Sequence, residues 1–258
     1  MMRGPGMTDD LKLPFLGHLA ELRKRLIHCA IAVAIGFLIS YYFSEDLFRI
    51  LMSPLKDNLP GNDRLIFTNL PEMFLTYIKT AFITGLLLAS PVIFYEMWLF
   101  IAPGLYQNEK KYVIPFVIFS TVLFIGGSLF GYFIVFPFGF KFFLGYANDY
   151  IQALPSVKQY FSFSTKLLLA FGIVFELPVV IFFLSRTGVV TVDFLRKNRK
   201  YAILLTFAMA AILTPPDVIT QFMMAGPLII LYEIGIFIAM MAEKKGGKKK
   251  GEDSVISG

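Results

Sequence analysis

Charge is scarce in this chain. Asp, Glu, Lys and Arg make up 16% of its 258 residues, where a soluble domain carries about 25%. That excludes an ordinary water-facing surface. Cysteine is almost missing: Cys29 stands alone, so no intramolecular disulfide can form. Its place in the first apolar run suits a small buried side chain. Histidine occurs twice, as His18 and His28. Neither has a Cys, Asp or Glu at metal-ligand spacing, so both read as interfacial residues and no metal or other cofactor is implied. There is no Walker motif, Gly-rich phosphate loop or G-x-S-x-G elbow. These absences argue against an ATPase or a serine hydrolase. No Ser/His, zinc or Asp/Asp constellation suggests an intramembrane enzyme, so the chain is read as non-enzymatic.

What is present is apolar. Hydrophobic residues make up 57%, with 29 phenylalanines, and they fall in blocks too long for core helices. Six spans are predicted, at 26–43, 73–101, 112–136, 160–184, 201–213 and 220–241. The first follows Arg23-Lys24-Arg25 as a signal peptide would. However, its 18 residues exceed a signal core, and Tyr41-Tyr42-Phe43 is no cleavage site. Before it, Phe15, Leu19, Leu22 and Leu26 share one helical face, which predicts an amphipathic surface helix opened by Pro14.

Orientation follows from the basic residues. The two ends and the segments after the second and fourth spans hold 17 of the 24 lysines and arginines. Both termini are therefore expected in the cytoplasm, in agreement with an even number of spans. The net charge of +6 marks membrane topology and not a nucleic-acid surface. The outer segments, 44–72 and 137–159, are expected to form short capping helices. Residues 1–242 read as one membrane domain and 243–258 as a disordered basic tail. No internal repeat is visible.

Ionisable residues within the spans carry the most information, because a charge at the membrane centre costs about 3 kcal/mol on insertion scales. Glu176 is the clearest case, with Pro178 two residues on to open the backbone. Protein packing alone would explain it as a carboxyl in a polar network between helices. The alternative is a direct role on a water-accessible surface. Glu233 lies at similar depth, and Glu96 reads as interfacial. Trp98, Phe100 and Tyr106 read as an aromatic belt. Glu109 is an acidic group in a basic loop.

Counting also flags the last two spans. The fifth has 13 residues before Thr214-Pro215-Pro216-Asp217, about 20 Å of helix against a hydrocarbon core of about 30 Å. The sixth contains Pro227, which is expected to shorten or kink it. Both are thus read as short. Mismatch of this kind is relieved by local thinning or by binding another helix. Thr214 and Gln221 would then lie at membrane depth, in a polar-lined groove or simply as caps of the helix ends.

Several segments in order resemble one family. They are Leu13-Pro14-Phe15 with His18-Leu19 and Glu21-Leu22-Arg23, then Ser53-Pro54-Leu55 and Ser90-Pro91-Val92. Next come Phe100-Ile101-Ala102-Pro103-Gly104-Leu105-Tyr106 with Glu109, and Ala170-Phe171-Gly172 leading to Phe175-Glu176-Leu177-Pro178. Leu213-Thr214-Pro215-Pro216-Asp217 closes the series. Over roughly residues 13–242 the chain resembles TatC, the multispanning subunit of the twin-arginine protein translocase. Gln107-Asn108 before Glu109 departs from the Lys-His or similar pair often found there.

The resemblance implies an all-α membrane protein, a concave glove-like bundle with outer-face caps, in the bacterial cytoplasmic membrane. It implies binding of twin-arginine signal peptides on folded precursors, export driven by the proton-motive force, and TatB and TatA as single-span partners. A homo-oligomer within the receptor complex is expected. By the same resemblance Glu109 is the main arginine contact, with Glu21, Phe100 and Arg23 on the recognition surface. Thr214 and Gln221 match the partner-docking positions. A secondary transporter of small solutes is the rival reading, but no inverted repeat supports it.

Overall fold

The computed structural model describes residues 9–56, 58, 65–101, 113–147, 150, 153–213 and 218–255, with side chains considered over 17–241 of these. The described residues are helical, apart from turns and one isolated parallel bridge between Ile66 and Ser156. In chain order the helices are α1 (Asp9–Tyr42), α2 (Ser44–Lys56), α3 (Glu72–Ile101), α4 (Val113–Phe130), α5 (Phe136–Leu144), α6 (Val157–Phe175), α7 (Leu177–Arg186), α8 (Val192–Lys197), α9 (Arg199–Leu213) and α10 (Val218–Val255). A π-helical turn, Gly131–Val135, joins α4 to α5. Five stretches are long and apolar enough to cross a membrane: Gly17–Tyr42, Glu72–Ile101, Val113–Leu144, Val157–Arg186 and Val218–Met241.

Two sequence expectations change here, and one is kept. The surface helix expected before the first span is not separate. It continues into α1 without a break, because no proline follows Pro14 and the basic residues 23–25 are good helix formers. The fifth expected span falls in α9, which has 15 residues and is short as counted. The sixth is not short: α10 passes through Pro227, and its apolar stretch Val218–Met241 has 24 residues. At 1.5 Å each, that length reaches about 36 Å. A proline inside a membrane helix removes one donor without ending the helix when neighbours protect the backbone.

Two other prolines show how the lost bond is replaced. Pro91 in α3 cannot bond the carbonyl of Leu87, and the Ser90 hydroxyl donates to that oxygen at 2.7 Å. Pro54 in α2 leaves the carbonyl of Ile50, which accepts from the Tyr132 hydroxyl at 2.6 Å. The neighbouring Leu51 carbonyl accepts from the Tyr160 hydroxyl. The Ser-Pro pairs of the sequence are therefore helix-compatible sites, not breaks.

The chain divides into two compact units. The first is Met1–Ser44 with Ile78–Thr121, and the second is Glu45–Tyr77 with Val122–Gly258. In the first, α1 and α3 meet at glycines. A Cβ on Gly36 would lie 2.5 Å from the Gly85 carbonyl oxygen, and one on Gly85 would lie 2.5 Å from the Phe37 nitrogen. Small residues let backbones approach where lipid supplies no hydrophobic drive. In the second unit, α4 and α6 meet at Gly127 and Gly172 in the same way. Its core gathers Leu55, Phe136, Leu167, Phe171, Met224 and Leu228.

The short helices expected within 44–72 and 137–159 are present as α2 and α5. In the second unit α2 buries Phe48, Leu51, Pro54 and Leu55. Glu72, 6% exposed, ties the chain before α3 to the start of α6. Its carboxylate accepts from the backbone N–H of Thr68 at 2.9 Å, of Asn69 at 3.3 Å and of Lys158 at 2.8 Å. A buried carboxylate is tolerated when its oxygens are filled by donors in this way.

Candidate functional site

In the first unit, one face of α1 carries His18, Glu21, Arg25 and His28, at the 3-4-3 spacing that keeps residues on one helical stripe. Facing it on α3 are Glu96 and Phe100, four residues apart. These six side chains form one polar seam. Arg25 donates from Nε and one terminal nitrogen to Oε1 of Glu21, at 3.1 and 2.6 Å. Its other terminal nitrogen donates to Oε2 of Glu96 at 2.9 Å. Nδ1 of His28 lies 2.9 Å from Oε1 of Glu96. The His18 and Phe100 rings stack with centroids 4.3 Å apart.

Glu96, which the sequence suggested as interfacial, is buried within the protein at 8% exposure. A carboxylate so enclosed needs charge-assisted partners, and α1 supplies them. The two histidines are likewise part of the seam. Arg25, Glu96 and His28 were missed as a group because the sequence separates them by about 70 positions. The stripe on α1 was the one available signal.

The structure brings Glu21 and Phe100 into this seam. Arg23 is exposed on α1 and bonds none of the seam residues. Glu109 lies outside the described residues, as does Thr214. Trp98 is not part of a lipid-facing belt: it is 4% exposed, stacks on Phe116 at 4.7 Å and donates from Nε1 to the Ser120 hydroxyl at 3.4 Å.

Within the second unit, Glu176 is half-buried at the junction of α6 and α7. Its N–H bonds the Ile173 carbonyl at 3.1 Å, a tightened turn that ends α6 before Pro178 begins α7. The helix is therefore interrupted beside Pro178, as expected of a kink there. Gln221, half-buried on α10, donates from Nε2 to the Phe207 carbonyl of α9 at 3.1 Å. Glu233 is exposed and paired with Arg199, the first residue of α9, at 2.7 Å. It thus belongs to the basic end of the α9–α10 pair and not to a buried network.

The family model described as Sec-independent protein translocase protein (TatC) matches residues 17–227. This chain belongs to the TatC family. The Sec-independent protein translocase protein TatC of Desulforapulum autotrophicum is 56% identical over 245 residues, covering 95% of this chain and 89% of that protein. The TatC of Escherichia coli strain K12 is 40% identical over 244 residues, with 95% of each chain covered. A crystal structure of the twin-arginine translocase receptor TatC superposes with a TM-score of 0.77 at 45% identity, covering 88% of this chain and 99% of that one. The function is twin-arginine protein translocation, a transport role. The solute-transporter reading is set aside on the same findings.

Proposed function

We propose that this chain is the signal-peptide receptor of its translocase, and that Glu109, Glu21 and Phe100 form the surface that meets the paired arginines. The observation carrying this reading is the α1–α3 seam. It holds a half-exposed carboxylate, Glu21, and an aromatic ring, Phe100, stacked on His18 one turn away on α1, in a stretch otherwise rich in Lys and Arg. A guanidinium fork matches a carboxylate in two parallel hydrogen bonds, and an ammonium does not. Glu109 supplies the carboxylate for the second arginine. Arg23, exposed on α1, is assigned to the recognition surface by the family resemblance. Folded precursors are then exported across the bacterial cytoplasmic membrane at the expense of the proton-motive force. Both chain ends are cytoplasmic, and α9 makes a sixth, shortened crossing. The test is photocrosslinking from position 109 to a twin-arginine signal peptide. A crosslink that needs both arginines supports the assignment, and one indifferent to them removes it.

Glu176 is proposed to face a water-accessible surface, since a lipid-facing carboxylate at that depth is costly. With Cys29 replaced, a cysteine at 176 is expected to react with a small water-soluble thiol reagent. Inertness there, beside a reactive interface control, would contradict the idea.

The α9–α10 pair is proposed to dock the membrane helix of a single-span TatB or TatA subunit, within a receptor complex that holds more than one copy of this chain. At 15 residues, α9 reaches about 22 Å against a core of about 30 Å. Leu204, Leu205, Ile212 and Phe222 are exposed apolar side chains on this pair. Among the described residues, Gln221 bonds only the Phe207 carbonyl through its side chain, which leaves one amide hydrogen and its carbonyl oxygen. Cysteines at 214 or 221 are expected to form disulfides with cysteines along the partner's helix. Crosslinks confined to α1, α3 and α4 would move the docking site elsewhere.

A further inference from the structure

Arg25 stands where a guanidinium ligand of Glu21 would stand. Two of its nitrogens converge on Oε1 of Glu21 and the third bonds Glu96. Among the described residues, nothing bonds Oε2 of Glu21. Arg25 is therefore divided between two carboxylates. They are not equivalent: the Glu96 side chain is 11% exposed and that of Glu21 is 32% exposed. Glu96 also holds His28. Two carboxylates thus share one arginine, and the more exposed of them, Glu21, keeps an oxygen for another donor.

We infer that Arg25 is an internal competitor for Glu21, and that Glu96 sets how strongly it competes. When a peptide arginine reaches Glu21, Arg25 releases Oε1 and stays on Glu96, where burial makes its bond hardest to replace. No proton or covalent bond moves. One guanidinium replaces another on the same carboxylate. A guanidinium can do this because it offers two coplanar donors, whereas a lysine ammonium replaces the pair of bonds poorly. Arg25 and Glu96 are thus positioning residues that sharpen discrimination of arginine from lysine. The inference rests on the proposed role of Glu21 in peptide binding.

The experiment uses the full chain in detergent or nanodiscs. Its probes are a synthetic twin-arginine signal peptide and the same peptide with both arginines changed to lysine. Arg25→Gln is expected to tighten binding of both peptides by roughly two- to fivefold, the range for a partly exposed ion pair. The gain should be larger for the lysine peptide, so the arginine-to-lysine affinity ratio falls. Glu96→Gln frees Arg25 for Glu21 and is expected to weaken binding by a similar factor. In the Arg25→Gln background the Glu96→Gln effect should vanish. A merely structural role would make both single changes weaken binding, with the ratio unmoved, and that result overturns the inference. If Arg25→Gln lowers the unfolding temperature, Arg25→Lys keeps a cation on Glu96 without the fork, and it should shift the ratio in the same direction. An unchanged ratio there also overturns the inference. Glu21→Gln separates the two levels. If it weakens binding and the Arg25 pattern fails, only the competition is lost. If it leaves binding intact, the reading of Glu21 falls with it.

Discussion

Glu109→Ala is expected to weaken binding of a twin-arginine signal peptide by roughly ten- to a hundredfold, the equivalent of one or two charge-assisted hydrogen bonds. The reason is chemical. A carboxylate in a basic loop is the group that an arginine of the peptide can bind through two parallel bonds, and alanine offers neither charge nor acceptor. Glu21→Ala is expected to give a smaller loss, because Arg25 already occupies one oxygen of that carboxylate. The two losses should come close to adding, since in the proposed surface each carboxylate meets a different arginine. Binding is measured by anisotropy of a labelled peptide on purified protein, with the unfolding temperature as control. Wild-type affinity in the Glu109→Ala, Glu21→Ala double variant would remove the proposed recognition surface.

The second large effect concerns folding. Gly127→Ala places a Cβ 2.5 Å from the Phe171 carbonyl oxygen and 2.7 Å from the Phe175 ring. The carbonyl belongs to the backbone of α6, so relief requires the two helices to separate. Overpacking of this kind costs about 1–3 kcal/mol, occasionally more. Gly85→Ala meets the same obstacle at the Phe37 nitrogen and the Gly36 carbonyl carbon, at 2.5 and 2.8 Å. Gly126→Ala is the internal control: nothing lies within 4 Å of its added Cβ. Helix propensity alone should then make it neutral or stabilising by up to about 1 kcal/mol. Thermal unfolding in detergent, followed by loss of the monodisperse peak in size-exclusion chromatography, reads all three. Equal unfolding temperatures for the Gly126→Ala and Gly127→Ala proteins would show that the close approach does not hold the helices together.

The positions of the long apolar helices were readable because a span needs only length and hydrophobicity, both of which are local. Five of the six predicted spans coincide with stretches able to cross a membrane, and the shortness of α9 followed from a count up to Pro215. The expectation that Pro227 would shorten α10 was wrong. A proline's effect depends on whether its surroundings protect the exposed carbonyl, and that is not written in the residues beside it. Ser90 and Tyr132 make the distinction plain: the first repairs a helix from the adjacent position, the second from 82 residues away.

The candidate site divides along the same line. Its residue types could be chosen from the sequence, since Glu21 and Glu109 stand out as acidic groups in basic surroundings. Their resemblance-based roles needed the family pattern. What sequence alone determined, then, is which segments enter the membrane, which ends of them carry basic charge, and which carboxylates demand an explanation. Hydrophobic transfer and charge cost act residue by residue, so a linear chain displays them. Only the tertiary structure decided that Glu96 is buried against Arg25 and His28, that Trp98 is a core residue, and that Gly36 meets Gly85. Pairing across two helices depends on their rotation and crossing point. Those are fixed by many contacts at once and by no single stretch of chain.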